Sequence, residues 1–452
     1  MDKINDLEQK PVGKLLAQYS IPATLSLVVS ALYQMVDRIF IGHIPEAGVL
    51  GLTGVGLTAP ITTIIMALSA LIAFGAASTI SIRLGEGKRE EAEKAAGNAM
   101  VYVLITSVVI TVTFFLFKSQ IFNVLKITGH SALYAVEYIN TIVLGTVFSM
   151  FSFTFPIIIR SDGNPTFSMV TTLVGCVLNI ILDAVFIFGS GMGIQGAAVA
   201  TVISQATSTM LGLFYFWKGK PTLRLSRKTM RPDISTLKSI IKIGSVPCAN
   251  QLSVSVAQLI GNYALVQYGG EVYVGAMTAI RSVFQLFMMG VYGLGQGFQP
   301  IVGYNFAKKS YKRAFDTLKL SFIWDVVILA SGLVLAQLLP QYWINLFIKD
   351  QALAAIATYG LRKFTVLMPL ASFVAVGSGF MMMTGKARPA IFLNISYQIL
   401  ISATTIYFLP LLIGTDGLWY SQPLTDVIAT VLTIFLFIRN YGSIIKQMRL
   451  DR

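Results

Sequence analysis

The stretch Gln18–Gly42 reads QYSIPATLSLVVSALYQMVDRIFIG and contains only two charged residues, Asp37 and Arg38. About 20 mostly apolar residues are long enough to cross a bilayer as a helix. Apolar and polar residues do not alternate at every second position, as they would in a barrel strand. The stretch therefore predicts a transmembrane helix, with Pro22 near its start and a carboxylate near its end.

The rest of the chain repeats this apolar pattern. Of its 452 residues, 55% are hydrophobic and 12% are charged, whereas an average soluble domain is about a quarter charged. This composition excludes a soluble enzyme, a secreted disulfide scaffold and a disordered chain. Cys176 and Cys248 both lie in apolar runs and are expected to pack as small hydrophobes. Twelve spans are predicted: 16–42, 51–82, 95–117, 133–159, 166–188, 194–217, 243–267, 272–306, 320–339, 354–382, 390–412 and 417–438.

The basic residues predict the topology. Cytoplasmic loops are enriched in Lys and Arg, and 27 of the 34 basic residues fall on one side if both termini are cytoplasmic. The net charge of +14 therefore reflects membrane topology, and no nucleic-acid partner is expected. The polar N-terminus predicts no removable signal. The basic segment 218–242 predicts a cytoplasmic linker between an N-lobe, 1–217, and a C-lobe, 243–452.

The two halves resemble each other. Pro22 and Pro247 open spans one and seven at an offset of 225, and Thr201 and Thr425 correspond at an offset of 224. Six spans per repeat is an even number, so the repeats are parallel and related by an axis along the membrane normal. The predicted fold is an all-α membrane protein with twelve transmembrane helices in two six-helix lobes around a central cavity.

A few polar residues lie deep in the predicted spans. An intramembrane carboxylate is costly and usually functional, which draws attention to Asp37 in span one and Asp183 in span five. Asn179 and Asp183 are four residues apart and share a helix face, and the small residues that open span six would bring Thr201 close to them. These four oxygen-bearing side chains suit a hard cation, while burial would equally favour proton binding by the carboxyls.

The internal repeat makes this group asymmetric. In the second half, Asn262, Ala403 and Tyr407 stand at the positions that correspond to Asp37, Asn179 and Asp183. The ionisable groups therefore belong to the first half alone, which favours an ion-coupling site. A satisfied hydrogen-bonding cluster is the alternative. Asp325 and Asp426 lie nearer the ends of spans nine and twelve, where hydration or helix capping is expected.

Other side chains suit a substrate cavity. Methionine repacks around varied shapes, so Met288, Met289 and Met382 are candidates, and aromatic rings such as Phe153 can face organic cations. Gln34, one turn before Asp37, is a further candidate. Lipid-facing packing is the alternative for each of them. Pro22 permits a kink and is the predicted hinge.

No phosphate-binding loop, zinc motif or nucleophile elbow occurs, so neither an ATP-driven pump nor a membrane metalloenzyme is indicated. No cofactor is predicted, nor any metal beyond a possible sodium ion at the four polar residues. The expected partners are the lipid bilayer and small organic substrates, and a monomer is expected.

The motif Val36-Asp37-Arg38-Ile39-Phe40-Ile41-Gly42 resembles the first helix of the multidrug and toxic compound extrusion (MATE) transporters. Asn179–Asp183, Gly193–Gly196 and Ala200-Thr201 resemble their fifth and sixth helices, and the resemblance covers essentially the whole chain. It is strongest to the MepA-like bacterial branch, near the DinF-like transporters.

The resemblance implies a secondary antiporter of the bacterial inner membrane that exports organic, often cationic, compounds in exchange for protons or sodium. It also implies a cation site at Asp37, Asn179, Asp183 and Thr201. Spans seven and ten lack the acidic residues that another branch of the family carries there. A lipid-linked saccharide or lipid flippase of the same superfamily is the alternative function, and a membrane-embedded enzyme ranks below it.

Overall fold

The computed structural model describes residues 7–42, 44, 48–124, 131–219, 221–348 and 351–450. Within these ranges the chain is helical and contains no strand, which confirms the predicted all-α class. The α-helices are α1 Val12–Gly42, α2 Gly48–Gly85, α3 Arg89–Val124, α4 Ser131–Leu144, α5 Thr146–Ser161, α6 Pro165–Asp183, α7 Gly193–Lys218, α8 Ile234–Gly269, α9 Glu271–Ala307, α10 Tyr311–Leu338, α11 Pro340–Asn345, α12 Gln351–Phe364, α13 Ala371–Met383, α14 Ala387–Ile395, α15 Ser402–Ile413 and α16 Asp416–Leu450. Two π-helical turns, Ala184–Gly189 and Ser396–Ile401, and a 3₁₀ turn, Met368–Leu370, join some of them.

Many of these helices suit a bilayer. Among the described residues, nine are long and apolar enough to cross a membrane, or up to eleven if each of two bent pairs counts as one span. Each of the twelve predicted spans coincides with one of the helices or with a bent or π-linked pair, and α8 covers predicted span seven. The chain is therefore a multi-pass membrane protein.

Two predicted spans are bent. Span four consists of α4 and α5, which meet at 57°, and span ten consists of α12 and α13, which meet at 52°. Gly145 lies at the first bend, where an added Cβ would fall 2.4 Å from a methyl group of Val202. Pro369 lies at the second bend, and because proline has no N–H it leaves a gap in the helical hydrogen bonds at which the chain can bend.

The chain divides into two compact units. Unit 1 comprises residues 1–9 and 25–248, and unit 2 comprises residues 10–24 and 249–452. These boundaries differ from the predicted lobes, because α1 and α8 each contribute their first part to one unit and the remainder to the other. Pro22 and Pro247 lie just before the two crossing points.

The first parts of α1 and α8 pack closely against other helices of the unit to which each belongs, and glycines permit this close packing. In unit 2, a Cβ added to Gly293 of α9 would lie 2.0 Å from the hydroxyl oxygen of Thr24. In unit 1, a Cβ added to Gly244 of α8 would lie 1.8 Å from the carbonyl oxygen of Leu71. Helix backbones can approach this closely only where a side chain is missing.

The segment after α7 is held against unit 1. The amide of Asn98 donates to the carbonyl oxygens of Thr229 and Arg231, and its oxygen accepts the N–H of Asp233. Asp233 caps α8, which begins at Ile234, inside the predicted linker. These capping bonds, from the hydroxyls of Ser235 and Thr236 and the N–H of Thr236, hold the pKa of Asp233 well below its usual range.

Candidate functional site

The predicted polar residues meet within unit 1. Asn179 and Asp183 occupy the last turns of α6, Thr201 lies on α7 and Asp37 lies near the end of α1. Asn179 and Asp183 are buried, and Asp183 has no exposed surface at all. The structure therefore places three helices around one buried carboxyl.

Asn179 connects two of these helices. Its side-chain nitrogen lies 3.4 Å from Oδ1 of Asp183, one turn further along α6, and 3.4 Å from Oγ1 of Thr201 on α7. Oδ1 of Asn179 and Oδ2 of Asp183 are buried and have no hydrogen-bond partner. Both oxygens can therefore accept a hydrogen bond or ligate a cation, and the oxygen of Asp183 can also take up a proton.

Asp37 completes the group. Its carboxyl lies close enough to that of Asp183 for the two to share a hydrogen bond. Carboxylate oxygens are acceptors only, so a hydrogen bond between two carboxyls requires a proton on one of them. Two adjacent carboxyls cannot both be ionised without strong repulsion, so such a pair can hold one proton between them.

Local backbone features create this geometry. The chain turns from α6 into the π-helical turn Ala184–Gly189 directly after Asp183, and such turns are frequent at functional sites. Gly196 of α7 packs against that turn, since its added Cβ would lie 2.9 Å from the carbonyl oxygen of Phe186. Gly193 adopts a φ of 57°, a left-handed conformation that favours glycine. These glycines let α7 begin close to α6.

Sequence reasoning missed one side of the site. Tyr33 lies one turn before Asp37 and interacts electrostatically with Asp37, Asp183 and Cys176. The hydroxyl of Ser30 lies 3.6 Å from the sulfur of Cys176, which is buried as expected. Ser30 and Tyr33 are on the same face of α1 as Asp37, and this spacing was the signal in the sequence that would have indicated them.

The predicted cavity residues are divided between the units. In unit 1, Gln34 is exposed, and half-buried Phe153 contacts Phe74 edge-on. In unit 2, Met289 is half-buried, whereas Met288 and Met382 are 7% and 5% exposed. Met288 packs in a small core cluster with residues that include Leu329 and Met368.

Two expectations were wrong. Asp325 of α10 and Asp426 of α16, expected to be hydrated or capping, are 2% and 0% exposed. Asp325 lies on the buried stripe of α10, which includes Ser321 and Leu329. Both helices extend beyond the predicted spans, and the two carboxyls therefore lie further from the helix ends than the hydropathy pattern indicated.

The donor set around Asp183 suits a small hard cation or a proton. Carboxylate, amide and hydroxyl oxygens are the ligands that hard cations prefer. Over the ranges that the structure describes, no group of three or more His, Cys, Asp or Glu side chains could hold a metal ion. Any cation at this site would be coordinated by the two carboxyls together with neutral oxygens.

The membrane-crossing helices and the carboxyls of Asp37 and Asp183 within unit 1, together with the family to which the chain belongs, define the class: a secondary transporter rather than an enzyme. The MatE family model matches residues 22–185 and 248–408, and the chain belongs to this family of multidrug and toxic compound extrusion transporters. The predicted resemblance is thereby confirmed.

Individual relatives agree with this assignment. The chain is 26% identical over 429 residues to the multidrug export protein MepA of Staphylococcus haemolyticus (strain JCSC1435), which covers 95% of this chain and 94% of that protein. Among solved structures, the MATE multidrug transporter DinF-BH is 35% identical, covers 96% of each chain and has a TM-score of 0.87. A MATE in complex with MaL6 shares the fold, with a TM-score of 0.92 at 22% identity over 99% of this chain and all of that one.

Proposed function

We propose that this chain is an antiporter that exports organic, often cationic, compounds from the cytoplasm in exchange for protons or sodium ions. The observation that carries the proposal is the pair of half-buried Asp37 and buried Asp183, with Asn179 and Thr201 beside it. The names of the MepA and DinF-BH relatives, which refer to multidrug export and multidrug transport, support the substrate class.

Coupling follows from competition between two conformations. Ion binding at Asp37 and Asp183 from outside favours the conformation that releases substrate, and the ion-free pair favours the one that accepts substrate from the cytoplasm. A ligand shifts such an equilibrium only through its different affinities for the two states. Moving one helix by a few ångströms would separate the carboxyls and change the affinity of the pair for its ion.

The coupling ion is a proton or a sodium ion. The hydrogen bond that the two carboxyls can share requires a proton, and a sodium ion at the pair would displace it. Sodium remains compatible with the oxygen ligands, and the experiment below separates the two ions.

The substrate contacts are proposed at Gln34, Phe153, Met288, Met289 and Met382. Gln34, Phe153 and Met289 are the stronger candidates because they have exposed surface. Met288 and Met382 are buried, so the surrounding helices would have to move before a substrate could touch them.

Pro22 is the proposed hinge, since α1 passes from unit 2 to unit 1 at Thr24 and Leu25. A proline leaves one backbone carbonyl of its helix without its usual partner and lowers the cost of bending there. We further propose a monomer in the bacterial cytoplasmic membrane with both termini in the cytoplasm. Residues 1–6 and 451–452, at the two ends of the chain, lie outside the described residues.

The test is efflux of a cationic dye from cells that express the wild type or Asp37→Asn, with the proton and sodium gradients collapsed separately. The wild type should export the dye, Asp37→Asn should not, and collapse of one gradient should stop export and thereby identify the ion. Glu137→Gln, which alters an exposed carboxylate of the same unit, is the matched control. Wild-type export that survives the loss of both gradients would refute antiport. Absence of dye export in every condition would favour a lipid-linked substrate instead.

A further inference from the structure

Unit 2 contains a second buried carboxyl that the proposed coupling site does not use. Asp426 lies on α16, ten residues after Asp416, the first residue of that helix. Ten helical residues span about 15 Å, half of the roughly 30 Å hydrocarbon core of a bilayer. Asp426 has no exposed surface. A carboxyl at this depth requires partners or a proton.

The two oxygens of Asp426 have different surroundings. Oδ1 accepts hydrogen bonds from the hydroxyl of Tyr397, at 3.0 Å, and from the side-chain nitrogen of Gln422, at 2.9 Å. The same nitrogen of Gln422 also lies 2.9 Å from the Tyr397 oxygen. Oδ2 is buried and has no hydrogen-bond partner.

This asymmetry matches a protonated carboxyl. An ionised carboxylate bears charge on both oxygens, and leaving one of them bare in an apolar interior is expensive. A carboxylic acid with its proton on Oδ2 is neutral, and its carbonyl oxygen, Oδ1, keeps both donors.

The local backbone resembles that of the first site. Tyr397 lies on the π-helical turn Ser396–Ile401, and the other π-helical turn in the described part of the chain directly follows Asp183. One π-helical turn therefore directly follows a buried carboxyl, and the other contains the tyrosine that donates a hydrogen bond to a buried carboxyl. Tyr397 as a whole is half-buried, and its hydroxyl is bonded within the cluster around Asp426.

The Asp426 carboxyl interacts with few other polar or ionisable groups. Tyr397 and Gln422 are the side chains that act on it. Tyr292 of α9 interacts electrostatically with Tyr397. Lys363 is paired with Asp416 at 2.6 Å, at the start of α16. The other titratable residues on the described elements packed against α16 are Tyr359, Arg362, Arg388 and Tyr407.

We propose that Asp426, held by Tyr397 and Gln422, is a second proton-exchange site of this transporter. A hydronium ion gives its proton to Oδ2, an O–H bond forms, and water leaves. The proton returns to water when a conformational change hydrates Oδ2. The inference deepens the proposed antiport function, on which its transport measurement rests, but its spectroscopic measurement does not depend on transport.

The test uses the purified full-length protein and infrared difference spectroscopy at neutral pH. The wild type should show a carboxylic-acid C=O band that is lost in Asp426→Asn. In Tyr397→Phe the band should move to higher frequency, because Oδ1 loses one donor. Asparagine keeps an acceptor oxygen for Tyr397 and Gln422, so folding should survive, and Tyr397→Phe provides a second, independent measurement. Identical acid bands in the wild type and both variants would mean that Asp426 is ionised, which overturns the proposal.

The functional measurement counts protons per molecule of cationic dye in reconstituted vesicles. Asp426→Asn should lower this ratio by about one proton, whereas Asp183→Asn should abolish coupling. An unchanged ratio in Asp426→Asn would overturn the exchange role. If the wild type itself moved no protons with dye, proton antiport would fail, while the infrared band would still report the protonation of Asp426.

Discussion

The side-chain nitrogen of Asn179 lies 3.4 Å from Oδ1 of Asp183, its neighbour one turn along α6. The amide therefore orients one carboxyl oxygen, while Oδ2 of the same carboxyl receives no N–H or O–H donor among the described residues. Oδ1 of Asp183 is thus fixed by Asn179, and Oδ2 can bind an ion without losing a hydrogen bond.

Replacing Asp183 by Asn should reduce ion-coupled dye export to background. The variant is nearly isosteric and keeps an acceptor for Asn179, but it cannot exchange a proton with Asp37. Export rates should be measured together with thermal stability in detergent, which should stay near the wild-type value. Glu137→Gln is the control, with export expected near the wild-type rate. Ion-coupled export by Asp183→Asn would contradict the assigned site.

Thr201→Val should weaken ion binding while keeping the shape of the side chain. Asn179 loses one of its two acceptors, and a hydrogen bond of this kind contributes about 1 kcal/mol, or roughly fivefold in affinity. The ion concentration that gives half-maximal export should rise by about that factor. Thr207→Val, on the same helix but with its hydroxyl bonded to the carbonyl oxygen of Ile203, should leave it unchanged. Equal effects of the two variants would argue against a role for Thr201.

Gly293→Ala should destabilise unit 2. The added Cβ would lie 2.0 Å from the hydroxyl oxygen and 2.5 Å from Cα of Thr24, and overpacking of this kind costs about 1–3 kcal/mol. Gly295→Ala is the matched control two residues away, because its Cβ meets nothing within 4 Å. That variant should be neutral or more stable by up to about 1 kcal/mol, since alanine favours helix more than glycine does. The check is thermal unfolding in detergent; a result in which Gly293→Ala is the more stable variant would show that α1 does not pack there.

Asp233→Ala should destabilise the start of α8 by about 1 kcal/mol through loss of the helix cap. The capping bonds lower the pKa of Asp233, so their contribution is fully present above the unfolded value of about 3.9 and is lost as pH falls toward the folded one. Asp233→Asn should keep much of the cap but lose this pH dependence. Proteolysis of the segment after α7, measured from neutral to acidic pH, reports both effects. Identical protection of Asp233→Ala and wild type at neutral pH would rule out the capping role.

The sequence predicted the helices and the proximity of four polar residues better than it predicted long-range packing. Asp37, Asn179, Asp183 and Thr201 were found because intramembrane polar residues are rare and helical spacing shows which of them share a face. The partners of Asp426 could not be found in this way, since Tyr397 is 29 positions away and reaches the carboxyl through tertiary packing. The bends at Gly145 and Pro369 also lie inside runs that are mostly apolar on both sides, so hydropathy alone cannot reveal them.

The passage of α1 and α8 between the units has a consequence for biosynthesis. Unit 1 includes residues up to Cys248, so a nascent chain that stops at residue 217 lacks the opening turns of α8, which belong to that unit. Residues 10–24 leave the ribosome before residues 25–248 of unit 1, yet the rest of their own unit, residues 249–452, is translated after them. Since unit 2 contains residues 10–24 and unit 1 contains the start of α8, we expect both units to be completed only after both halves of the chain have entered the membrane.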